Sequence, residues 1–329
     1  MTASGGDSAI STDFENPPEP FEHEPVMLRE TLETFQTLES GLFLDATIGG
    51  GGHAEAILAD APRRELVGVD RDKSAVEVAR SRLKRFGDRF DVHHARFDQV
   101  GAILDNDSRP LSGAIFDLGV SSYQLDTPQR GFSHRHASPL DMRMDLSDPL
   151  DASTVVNSYD EDELAFILRN NSDERFARRI AKSIVASRPV ESTTELAEIV
   201  RNAVPAATRR TGRHPAMRTF QAIRIAVNGE LELIEPAIKQ IIERLRPGGR
   251  IVVLSYHSGE DRIVKQVFRE AADGVCVCPS TLPCICGSET SVKLLRRKVV
   301  RPTPEEIEAN PRAASARFRA AERLSLGEA

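Results

Sequence analysis

The stretch FLDATIGGGGH, Phe43 to His53, decides how this chain folds. Leu42 to Leu44 form a short apolar strand that Asp45 closes, Gly49 to Gly52 follow at once, and a helical pattern begins at Ala54. Strand, glycine turn and helix in that order open a nucleotide site in a doubly wound α/β sheet. A side chain at such a turn would hold the ligand off the backbone and resist the positive φ of a tight bend. The next strand, Glu65 to Val69, ends in Asp70, where a carboxylate can accept hydrogen bonds from two ribose hydroxyls.

The ligand follows less directly. The glycines are not spaced as the G-x-G-x-x-G of dinucleotide enzymes, and four in succession offer no clear phosphate cradle. S-adenosyl-L-methionine, which carries a ribose and an adenine but no phosphate, fits better. A nicotinamide oxidoreductase would share the strand, the glycines and Asp70, yet the chain offers no obvious His or Tyr pair for hydride transfer.

Outward from this turn the chain alternates strand and helix. A helix over VMLRETLETF precedes it, with Val26, Leu28, Leu32 and Phe35 mostly on one face. After it come a helix through Ala75, Val78, Ala79 and Leu83, a third strand from Phe90 to His94, and a fourth, GAIFDL, from Gly113 to Leu118. Phe97 falls at the carboxyl edge of the sheet, where an adenine could lie against it, although a core phenylalanine reads equally well. The rhythm then stops, and residues 125–214 show only helical patterns, at Asp162 to Leu168, Asp173 to Ser187 and Thr193 to Val204. It resumes with helices at Met217 to Val227 and Leu231 to Leu245 and an apolar fifth strand, Ile251 to Leu254. A strand-like LLRRKVVR from Leu294 and a strand or helix from Ser315 to Glu322 complete the pattern. The expected fold is α/β, with a mostly parallel sheet over residues 22–124 and 215–329 and an inserted helical domain between.

A chain of 329 residues, 40% hydrophobic and 28% charged, describes one large soluble domain carrying an insertion. No apolar run approaches the roughly eighteen residues of a membrane span, and no basic start precedes an apolar stretch. A cytoplasmic location with no membrane partner is expected. The net charge of −7 is unevenly spread: residues 1–24 hold six acids and no Lys or Arg, and residues 1–21 read as a disordered tail. Between Arg169 and Arg224 twelve Lys or Arg stand against five Asp or Glu, an excess that suits phosphates or, equally, a solvated helix surface.

All four cysteines, Cys276, Cys278, Cys284 and Cys286, lie in CVCPSTLPCIC. Such clustering disfavours structural disulfides in a cytoplasmic chain and raises a zinc site, but C-x-C falls outside the usual ligand spacing. No metal is expected.

Taken together, HEPVMLRE, DATIGGGGH, GVDRD, DLGVSSYQLD, RGFSH with PLDMRMD, RFARRIAKSIV, HPAMRTFQAIRIAVNGEL, LRPGGRIVVLSYHSGEDRIVK and NPRAASARFRAAER resemble the bacterial 16S ribosomal RNA cytosine-N4 methyltransferase family. The likeness runs from His23 almost to the end. It implies a class I, Rossmann-like methyltransferase sheet with an inserted recognition domain, acting on a cytidine of the decoding centre in the small ribosomal subunit. It also implies that S-adenosyl-L-methionine rests on Gly51, Gly52, His53, Asp70, Phe97, Asp117 and Gln124. Asp117 and the following Gly119 to Ser122 occupy the place where amino methyltransferases carry their substrate-amine loop. Asp117 is therefore the expected acceptor for the amine hydrogens, with Ser121 in support, while a purely cofactor-binding Asp117 is an equal alternative. A non-catalytic ribosome-assembly factor would carry the same basic patches.

Overall fold

A computed structural model describes residues 25–105, 107–207, 214–274, 278 and 289–325. The acidic tail, Arg209, Arg210 and Arg213, and Cys276, Cys284 and Cys286 lie outside the described residues. Among those described, no group of three or more His, Cys, Asp or Glu is placed to hold a metal ion, and no helix is long and apolar enough to cross a membrane.

The sheet has seven strands: β1 (Ser40–Asp45), β2 (Arg63–Asp70), β3 (Phe90–His94), β4 (Leu111–Asp117), β5 (Leu245–Ser255), β6 (Val292–Leu294) and β7 (Arg317–Arg323). Their spatial order is β3-β2-β1-β4-β5-β7-β6. β1 to β5 run parallel, and β7 returns antiparallel between β5 and β6. Parallel strands covered on both faces read as continuous apolar runs. In β5, Ile251 and Val253 enter one core with Ile238, Ile241 and Phe268, whereas Val252 and Leu254 enter the opposite core with Phe35, Ile57 and Leu83. The period-two alternation thus feeds two hydrophobic layers, and the sheet is doubly wound.

The first helix, Leu28–Phe35, buries Thr31 and Phe35, with Met27 and Leu38 beyond its ends, while Val26 and Leu32 only flank that core. Its start is displaced because Met27 adopts a left-handed φ of 52°, and the Thr31 hydroxyl donates to the Met27 carbonyl. The segment expected as strand or helix from Ser315 to Glu322 is a strand over Arg317–Arg323, as Phe318, Ala320 and Ala321 all face core. The expected strand from Leu294 is instead centred earlier, at Val292–Leu294, and Val300 keeps only a single bridge to Phe318.

Between β4 and β5 a third core gathers helices Ala152–Ser158, Glu161–Ser172, Ala177–Ala186, Thr193–Ala203 and Met217–Asn228. The packing crosses the expected boundary at residue 214 and continues to Val227, because Phe220, Ile223 and Val227 turn away from the sheet toward Leu164 and Ile180. The helix expected from Asp173 begins at Ala177 instead. Asp173, at φ 51°, caps the preceding helix by donating to the Arg169 carbonyl, and Glu174 donates to Leu168.

Candidate active site

The carboxyl ends of β1, β2, β4 and β5 converge on a cavity of about 830 Å³, lined also by Phe132 to His136, by the helix Met217–Asn228 and by the segment Asn310 to Ser315. This is where a doubly wound sheet binds its ligand, since the loops on either side of β1 diverge there.

The glycine turn divides its labour. Gly49, Gly50, Gly52 and His53 line the cavity, whereas Gly51 does not. Gly51 adopts φ 79° as the residue capping the helix Gly52–Asp60, and a Cβ there would lie 3.3 Å from the Ala79 Cα. It is glycine for its backbone and its close helix contact, not for approach to the ligand.

Asp70 lies at the end of β2, facing the cavity. Its Oδ2 accepts the Gly49 N–H at 2.9 Å and its Oδ1 the Asp72 N–H at 2.8 Å. A carboxylate has about four lone-pair positions, so two remain for ligand hydroxyls. Burial pushes its pKa up to about 6 despite those two backbone donors, leaving the group ionised at neutral pH. Phe97 lines the same cavity and packs edge-on to Phe116, with ring centroids 5.9 Å apart.

His53 is 6% exposed, and neither ring nitrogen has a hydrogen-bond partner. Burial pulls its pKa down to about 4, so the ring is neutral, and its Nε2 stands 3.7 Å from Asp117 Oδ2, beyond hydrogen-bond reach. Two orphaned polar atoms in a cavity wall mark a place where a polar ligand completes the site. Together with the free lone pairs of Asp70 and the ring of Phe97, they fit an adenosyl amino acid.

Asp117 ends β4 in the middle of the cavity. Its backbone N–H donates to the Thr47 hydroxyl at 2.6 Å, and the Tyr256 hydroxyl donates to its Oδ1 at 2.7 Å. Burial raises its pKa to about 7; the Tyr256 hydrogen bond opposes the rise and the Glu260 charge adds to it. The remaining oxygen, Oδ2, faces His53. Ser121 caps the helix Ser122–Asp126: its hydroxyl accepts the Gln124 N–H at 3.2 Å, and the Gln124 side-chain oxygen accepts the Ser121 N–H at 3.1 Å. Gln124 is 4% exposed, and its amide donates to Asp72 Oδ2 at 2.9 Å. Ser121 and Gln124 therefore lie at the cavity wall but spend much of their polarity on shaping the loop after β4.

Tyr256, His257 and Glu260, at the end of β5, complete the wall. Glu260 is 1% exposed; its Oε2 accepts the backbone N–H of Tyr256 at 2.7 Å. Burial works against its charge, but His257 and Arg224 outweigh it and hold the carboxylate below the usual range. These residues closely follow the apolar strand expected at Ile251 to Leu254, and sequence spacing does not reveal their partners.

A parallel five-strand core with an antiparallel β7, a glycine turn after β1 and an acid closing β2 make this a class I methyltransferase fold. Residues 20–324 match the model of the MraW methylase family, and the chain belongs to that family. It is 46% identical over 309 residues to the ribosomal RNA small subunit methyltransferase H of Halothermothrix orenii, covering 92% of this chain and 99% of that one. The protein of the same name from Symbiobacterium thermophilum is 46% identical over 314 residues, covering 94% and 98%. That of Carboxydothermus hydrogenoformans is 48% identical over 313 residues, covering 93% and 99%.

Proposed function

We propose that this protein transfers a methyl group from S-adenosyl-L-methionine to the N4 amine of a cytidine in the decoding centre of 16S ribosomal RNA, carried in the small ribosomal subunit. The observation that supports it most is the placing of Asp117, whose carboxylate accepts from Tyr256 and whose backbone N–H donates to Thr47, in the same cavity as the glycine turn and Asp70. The names of the relatives, small subunit ribosomal RNA methyltransferases, supply the substrate class.

When bound, the donor supplies an electrophilic methyl on a sulfonium. The chain's own residues do the rest. Asp70 would hold the ribose of the donor, and Phe97 would pack against its adenine. The exocyclic amine of cytosine is a poor nucleophile because its lone pair is delocalised into the ring. An acceptor for its hydrogens favours the pyramidal nitrogen that can attack. Asp117 Oδ2 is that acceptor, with Oδ1 fixed by Tyr256, and Ser121 holds the following loop in shape.

On the insert, Arg169, Arg175, Arg178, Arg179, Lys182 and Arg201 are exposed. Positive charge spread over several helices suits the phosphates of folded RNA, whose target base must be splayed out to reach the cavity. The reading is tested by incubating the protein with labelled donor and small subunits from a strain lacking it, then digesting the RNA to nucleosides. One N4-methylcytidine per subunit is expected; label on a ring carbon, on another nucleoside, or nowhere contradicts it.

A further inference from the structure

Besides residues that line the cavity, the stretches RGFSH, PLDMRMD and NGEL supply Arg130, Arg143, Met144 and Asn228, which are linked to one buried carboxylate, Asp72. Asp72 is 3% exposed and lies two residues beyond Asp70. Its own N–H donates to Asp70 Oδ1 at 2.8 Å. Its Oδ1 caps the following helix by accepting the Ser74 N–H at 3.0 Å. Its Oδ2 accepts from Gln124, on the loop after β4, at 2.9 Å and from Arg130 Nη1 at 2.8 Å.

Arg130, 6% exposed, extends this contact into the insert. Its Nη2 donates to the carbonyls of Arg143 at 2.9 Å and Met144 at 2.8 Å. The Met144 N–H donates in turn to the Asn228 side chain at 2.8 Å, and the Asn228 amide donates to the Met142 carbonyl at 2.8 Å. The path closes through Arg71, which donates to the Asn228 carbonyl and to Asp148, each at 2.8 Å. The two residues that follow Asp70, Arg71 and Asp72, are thus both tied to the insert, and the Asp72 carboxylate also holds the loop carrying Ser121 through Gln124.

We infer that Asp72 and Arg130 are positioning residues through which RNA held on the insert and donor held at Asp70 strengthen one another's binding. A buried ion pair that reaches the loop after β4 through Gln124 and the insert through the Arg143 and Met144 carbonyls transmits bracing from one to the other, because releasing an arm strands a buried polar group. A ligand that steadies the insert therefore steadies Asp70 and the loop after β4, and by reciprocity the donor steadies the insert. This inference rests on the proposed function for its two ligands.

The test measures S-adenosylhomocysteine affinity by equilibrium binding to the free protein and to its complex with unmethylated small subunits. In the wild type, binding is expected to be about fivefold or more tighter on the subunit. The double variant Asp72→Asn/Arg130→Met removes both charges together, so neither is left buried alone. It is expected to bind subunits, with the fivefold gain reduced to less than about twofold. The milder Arg130→Lys keeps a cation beside Asp72 but cannot fork to both carbonyls, and an intermediate gain is expected even if the double variant does not fold. A purely structural role would lower the melting temperature of these variants and leave the ratio of the two affinities unchanged. A wild type that binds both ligands with no mutual gain, or a gain that survives in Arg130→Lys and the double variant, overturns the coupling and leaves the proposed function standing. A wild type that binds neither ligand overturns both.

Discussion

The Tyr256 hydroxyl, 2.7 Å from Asp117 Oδ1, joins residues 139 apart in the chain and fixes one oxygen of the carboxylate at the centre of the cavity. Burial and the neighbouring Asp117 push the phenol far above its ordinary pKa, so it stays protonated and always donates.

The pH dependence of methyl transfer follows from this pair. Burial raises the Asp117 pKa to about 7, and below that value the group carries a proton and cannot accept from the amine. The single-turnover rate should therefore climb as pH rises through about 7. In Tyr256→Phe the hydrogen bond that favours the charged form is lost, so the climb should move to higher pH. Matching profiles for the two proteins between pH 5.5 and 9 would show that another group sets the limb.

Asp45 makes a separate prediction about stability. It is 1% exposed, its oxygen accepts the Thr47 N–H at 3.2 Å, and burial pushes its pKa from 3.8 to about 8. A carboxyl that holds its proton more tightly when folded contributes less stability as pH rises from the unfolded pKa to the folded one. Here that window is about 4 to 8, and the slope approaches about 1.4 kcal/mol per pH unit. Asp45→Asn keeps an acceptor for Thr47 and does not titrate. Denaturant unfolding should show the variant gaining on the wild type by a few kcal/mol between pH 5 and 8; parallel curves would mean that Asp45 is ionised in the fold.

The two central glycines should respond differently to a methyl group. A Cβ on Gly50 meets only Val78 Cγ1, at 3.9 Å, and Gly50 lines the cavity. Gly50→Ala should leave stability within about 0.5 kcal/mol while weakening S-adenosylhomocysteine binding. Gly51→Ala must hold φ near 79° against Ala79, and should lose about 1–2 kcal/mol of stability. Calorimetry and thermal unfolding on the pair decide it, and equal effects on both quantities would remove the distinction.

Asp70 carries the donor in this account. Asp70→Asn retains one acceptor for the turn but loses the charge, and donor affinity should fall about tenfold or more, the scale of a charge-assisted hydrogen bond at about 1.5–3 kcal/mol. An unchanged dissociation constant would place the ribose elsewhere.

Much of this was legible from residues 43–53 because parallel strands are apolar throughout and a glycine turn punctuates them. The carboxyl-edge positions of Asp70, Phe97 and Asp117 follow from strand ends, and these three line one cavity with Tyr256, His257 and Glu260. Spacing could not say that Tyr256 meets Asp117, or that Arg130 reaches Asp72, since both contacts depend on how the insert and β5 fold back over long intervals. The helix Ala152–Ser158 carries no clear sequence signature because seven residues give too little period, with Ala152, Val155 and Val156 as its only buried positions. Met217–Asn228 packs with the inserted helices, which its sequence does not disclose, since amphipathicity marks a buried face without naming its partner.

The claim on which the rest depends is that Asp117 acts on the incoming amine, and one measurement addresses it directly. Asp117→Asn, saturated with donor and mixed with unmethylated small subunits, is followed through a single turnover alongside thermal unfolding. The expected result is a rate about a hundredfold below wild type, the scale of losing one positioned electrostatic group, with the melting temperature close to that of the parent. A variant that folds and transfers methyl at the wild-type rate would contradict it.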